Sequence, residues 1–133
     1  MSHVNSNHDM GLKRARYCFK LINDDNSTWL SKESISTLKA LPVQLRTQGL
    51  VVTIAVLLSK GNTSHIVELI AKWLLESAPH RMLVNTSSRV TGEALLAACA
   101  NDKTSRLAYM TSQKEAILLA QQAKIYAVAM KRE

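Results

Sequence analysis

Glycine and proline are scarce in this chain, four and two respectively in 133 residues. Both interrupt helices, glycine through backbone freedom and proline through its missing N–H, so their scarcity beside abundant Ala, Leu, Lys and Arg argues for an all-α fold. Cysteine is nearly absent as well. Cys18 sits between Tyr17 and Phe19, and Cys99 within an alanine run, contexts in which a thiol packs as a small apolar group and no disulfide framework exists. No apolar run approaches the ~18 residues that a membrane span requires. The opening residues 1–11 hold no apolar signal core, so the expectation is a cytoplasmic protein with no membrane role.

Catalytic and metal-binding patterns are also missing. His3 and His8 lie in the polar start, His65 and His80 are isolated, and no pair of His or Cys has ligand spacing. There is no phosphate-binding glycine loop, no nucleophile elbow and no carboxylate pair in an apolar setting. The expectation is therefore a non-enzyme with no catalytic residue, no metal and no cofactor. Aromatic residues are few: two Trp, three Tyr and one Phe. Single-strand binders stack bases on several exposed rings, so this scarcity favours recognition of phosphates and helical shape over reading of bases.

What the chain does have is positive charge, 17 Lys and Arg against 10 Asp and Glu, a formal +7. An excess of this size favours an anionic partner. Residues 41–60 form a nearly all-apolar stretch with a thin polar line at heptad spacing. On one continuous helix, Arg46, Thr53 and Lys60 would share a stripe, which Lys39 extends. Lys13, Arg14, Arg16 and Lys20 place four cations in eight residues with no intervening acid, and Lys124 and Lys131 stand a heptad apart near the end. These basic residues are the candidate nucleic-acid contacts.

The length fits one domain, and the periodicity predicts a helical bundle of about five to six helices. Residues 1–8 are expected to be disordered, leaving 9–133 as the domain. Asp9 would cap a first helix reaching about Ile22, with Leu12, Ala15, Phe19 and Ile22 on its apolar face. A second element would run from Ser31 or Ser34 to Ala40, with a kink at Pro42 leading into the long apolar helix. Gly61 and Asn62 signal a stop, Thr63 or Ser64 a new cap, and Ile66, Leu69, Ile70, Trp73 and Leu74 the apolar side of the helix that follows. A loop over 80–88, a short Ala-rich helix over 91–100 and a turn over 101–105 come next. Ser112 and Glu115 have capping-box spacing, after which Ala116, Leu119, Ala123, Ala127 and Met130 recur at three or four to Met130.

The order Leu41-Pro42, Gln48-Gly49-Leu50, an apolar run ending in Lys60, Trp73-Leu74, Tyr109, Glu115-Ala116 and Lys124-x-Tyr126-Ala127 resembles the small helical subunit of type III-B (Cmr) CRISPR effector complexes over about residues 10–131. The chain departs from that pattern at Gln113, Gln122 and Ile125, where the family favours Thr, Trp and a basic residue. The resemblance implies a non-catalytic antiviral-defence subunit that stacks in a few copies along the effector and associates with its other subunits. It would help to line the channel for the duplex of guide RNA and target RNA, while another subunit cleaves the target. A helical DNA-binding transcription regulator is the alternative, although no short helix pair with a Gly-containing turn and a basic recognition helix stands out. An adaptor whose basic faces meet an acidic protein is a third reading, distinguished by binding that survives salt.

Overall fold

The computed structural model describes residues 6–78 and 82–131. Its organising element is the last helix, α7 (Arg106–Met130), in which small residues recur on one side and let neighbours approach closely. Ala116, Leu119, Ala120, Ala123 and Ala127 of α7 are fully buried. Two helices lie along that side. α1 (Ser6–Asp24) runs parallel to α7, since Arg14 meets Glu115 and Cys18 meets the Leu119 carbonyl. α3 (Lys32–Gln48) runs antiparallel, with Leu30 just before it at Lys131 and Leu50 just after it at Gln113.

The four-residue α2 (Asn26–Trp29) turns the chain from α1 into α3. Ser31 caps α3 by accepting from the Ser34 N–H at 3.2 Å. The second layer contains α4 (Leu50–Ser59), α5 (Ser64–Lys72) with a π-helical turn at Trp73–Ser77, and α6 (Gly92–Ala100). Ile66, Leu69, Ile70, Trp73 and Leu74 are buried, as their spacing predicts. Gly92 seats α6 against this layer, where a Cβ would clash with Val67 Cγ1. The chain is a single-domain all-α bundle, with seven α-helices and no strand among the described residues.

Four local expectations give way to tertiary structure. First, α3 continues through Pro42 and the break falls at Gly49, whose φ of +89° is left-handed territory that only glycine enters without strain. The Gly49 N–H closes α3 on the Leu45 carbonyl, and the next two N–H groups are capped from across the molecule. Leu50 N donates to Gln113 Oε1 at 3.0 Å and Val51 N to the Tyr109 hydroxyl at 3.3 Å. Second, α1 is rotated from its expected facing: Leu12 and Phe19 are 44% and 48% exposed, while Arg14 turns inward beside Cys18 and Ile22, which are buried as expected.

Third, α7 begins at Ser105, whose hydroxyl accepts from the Ala108 N–H. Ser112 and Glu115 are therefore mid-helix, and Glu115 has another task. It accepts from Arg14 Nε at 2.6 Å, Arg14 Nη2 at 2.8 Å and Trp73 Nε1 at 2.8 Å, joining α1, the π-helical turn and α7. Tyr17 packs on Trp73 with ring centroids 4.8 Å apart and donates its hydroxyl to the Leu69 carbonyl. Burial pushes the Tyr17 phenol well above its ordinary value, so it stays a donor. Fourth, α1 starts at Ser6, ahead of Asp9. Residues 1–5 of the expected disordered start and Pro79 and His80, at the expected helix stop and loop start, lie outside the described residues.

Candidate nucleic-acid interface

The break at Gly49 separates what a continuous helix would have aligned. Arg46 stays exposed in the last turn of α3, Thr53 is buried with its hydroxyl on the Gln44 carbonyl at 3.2 Å, and Lys60 is exposed just beyond α4. The expected stripe through Arg46, Thr53 and Lys60 does not form. Lys39 and Lys60 come together in another way, around the first half of α3.

Two grooves flank that half-helix. One, of about 390 Å³, is lined by Lys32, Ile35, Ser36, Lys39, Val128 and Lys131. The other, of about 500 Å³, is lined by Lys32, Ser36, Thr37, Lys60 and Asn62, with Glu33 adding a carboxylate to its rim. Lys32 and Ser36 belong to both, so four lysines from three parts of the chain line two adjoining grooves. Lys131 reaches this point because α7 ends beside the start of α3, where its ammonium donates to the Leu30 carbonyl at 3.2 Å. None of Lys32, Lys39, Lys60 and Lys131 forms a salt bridge with a described residue. Four ammonium groups against the single carboxylate of Glu33 leave a net positive potential along the grooves that an anion relieves.

Of the remaining candidates, Lys13, Arg16 and Lys20 are exposed on one outer face of α1, with Lys20 3.5 Å from Asp24. Arg14 is absent from that face: it is 8% exposed and its guanidinium is engaged by Glu115. Lys124 is exposed on α7, one heptad before Lys131. Lys32 escaped the sequence reading, although it stands seven residues before Lys39 and fourteen before Arg46, a heptad series visible in the sequence. Its meeting with Lys60 and Lys131 has no counterpart in sequence spacing.

Acid–base and nucleophilic chemistry has little material here. Burial raises the Cys18 thiol to about 12 and Cys99 to about 11, which keeps both protonated and unreactive at neutral pH. His65 is held by Ser34, whose hydroxyl lies 2.6 Å from Nε2 and 2.8 Å from the Thr28 carbonyl. With the hydroxyl hydrogen on Thr28, the ring presents Nε2–H to Ser34. No cluster of three or more metal-ligating side chains occurs among the described residues, and none of their helices is long and apolar enough to cross a membrane.

The sequence matches the family described as CRISPR-associated protein (Cas_Cmr5) over residues 10–130. The chain belongs to the Cmr5 family. It is thus a small subunit of the type III-B CRISPR kind, associated with other effector-complex subunits. No curated protein and no solved structure matches it. Membership gives the buried knot a context: Trp73, Tyr109 and Glu115, three residues carrying the resemblance, act in this chain as internal fasteners. The basic groove of this Cmr5 chain is built from residues outside those three.

Proposed function

We propose that this chain is a non-catalytic subunit that helps to hold the guide–target RNA duplex in the effector, through the lysines around the first half of α3. The observation that carries this reading is the convergence of Lys32, Lys39, Lys60 and Lys131 on two adjoining grooves that share Ser36. Flexible ammonium groups on a helical ridge suit phosphates, and they neutralise charge without reading sequence. The scarcity of aromatic residues supports duplex over single strand. Lys13, Arg16 and Lys20 form a second, separate cationic face, and several copies stacked along the effector would repeat both. The inward Arg14 has no part in it.

Fluorescence anisotropy tests the reading with a guide–target RNA duplex and with single-stranded RNA, each across a salt series. Binding of the duplex should weaken steeply with salt. Replacing Lys32, Lys39, Lys60 and Lys131 with Ala should lower affinity and flatten the log–log salt slope by about one unit for each phosphate contact removed. A Lys13, Arg16 and Lys20 to Ala variant should lose less. The opposite ranking would move the duplex to α1. Equal affinity of all three proteins would remove RNA from both faces.

A further inference from the structure

α7 is apolar on two opposite sides. Its alanine-rich side is buried against α1 and α3, but the reverse side carries Leu107, Met110, Leu118, Ile125 and Val128, which are 69%, 53%, 38%, 56% and 43% exposed. At 100° per residue these five fall within an arc of about 80°, centred opposite the buried alanines. They extend over some six turns, with Lys114 and Gln121 in the gaps. An isolated exposed Leu is ordinary, whereas a helix with a second apolar stripe along its whole length has a second surface to cover.

The charge around the stripe says what covers it. Glu115 is the sole carboxylate in α7, and it is spent on Arg14 and Trp73. The exposed charges of α7 are therefore all positive: Arg106, Lys114 and Lys124. We propose that the outward face of α7 docks an amphipathic helix of a partner protein, with an apolar seam for the stripe, a carboxylate within the seam opposite Lys114 and further carboxylates along the flank that faces Arg106 and Lys124. The spacings of 3, 8, 7 and 3 residues match a side-by-side helix at near-heptad register. A second copy is the wrong occupant, because an isologous contact would set Arg106, Lys114 and Lys124 against the same cations on a chain of net charge +7. The proposal rests on reading the chain as a subunit among partners and assigns one of its faces.

The test assembles the effector complex on guide RNA from recombinant partner subunits with one of three proteins: wild type, Leu107→Glu/Ile125→Glu, or Arg106→Glu/Lys114→Glu. Occupancy is read by size-exclusion chromatography and quantitative gel staining. The apolar variant should enter about tenfold less than wild type. The charge-reversed variant should also be depleted, most strongly at low salt. All four substituted residues are exposed, so circular dichroism and the urea midpoint should stay close to wild-type values. Wild-type occupancy by both variants would overturn the docking face and leave the subunit reading standing. Depletion of the apolar variant alone would overturn the acidic partner. A wild-type dimer in sedimentation velocity that Leu107→Glu/Ile125→Glu abolishes would replace the partner with a second copy. Exclusion of the wild type from the complex would overturn the proposal together with the subunit reading.

Discussion

Glu115 accepts three N–H donors from two other elements, and the Arg14 guanidinium it holds is almost wholly enclosed. Glu115→Ala should leave that guanidinium buried without a partner and cost about 3 kcal/mol, measured by urea denaturation. Alanine in place of the exposed Lys13 should cost far less. His65 sets a pH dependence. Its pKa lies below the ordinary value, chiefly because burial disfavours the imidazolium, while Asp25 and Glu68 act in the opposite direction. The unfolded chain therefore binds the proton more readily than the folded one. Stability is complete above the unfolded pKa of about 6.5 and falls as the pH drops through it. Thermal melts from neutral to mildly acidic pH should show a steeper decline for wild type than for His65→Gln. Equal slopes would assign the acid sensitivity to other groups.

At the scale of elements, the junction between α3 and α4 has the clearest consequence. Gly49→Ala should destabilise the fold by about 1–3 kcal/mol, since the residue is held at a φ of +89°. The added Cβ would also meet Gln113 Oε1 at 3.3 Å. Gln113→Leu leaves the Leu50 N–H without its acceptor and should cost about 1 kcal/mol in the same denaturant assay. Helix identities were largely legible in the sequence, because Ile66 to Leu74 and Ala116 to Ala127 carry strong periodicity. Boundaries and facings were less so. Ser112 with Glu115 reads as a capping box and 101–105 as a turn, yet the cap is Ser105, and Glu115 is taken up by Arg14 and Trp73, partners that lie on other elements. Leu12 and Phe19 outscore Arg14 on any hydropathy scale, yet Arg14 is the inward residue because a carboxylate waits for it.

For the whole molecule, clustering of lysines around α3 implies self-repulsion in the free chain. Added NaCl should raise the melting temperature by screening, and a Lys32→Gln/Lys60→Gln variant should respond less in a calorimetric salt series. Of the candidate interface, the sequence showed Lys39 and Lys60 and, at heptad distance, Arg46. It aligned them on a helix that does not exist, because nothing local to Gly49 reveals that Gln113 and Tyr109 will cap the chain from more than fifty residues away. The sequence by itself determined helical class, positive charge and family, since these are properties of composition and local order that survive any arrangement of the helices. Which cations share a surface was decided only by tertiary structure. A lysine's neighbours depend on how α7 docks against α3, and that docking is set by the buried alanines of α7 and by the bonds from Gln113, Tyr109 and Lys131 to either end of α3, which sequence spacing does not join.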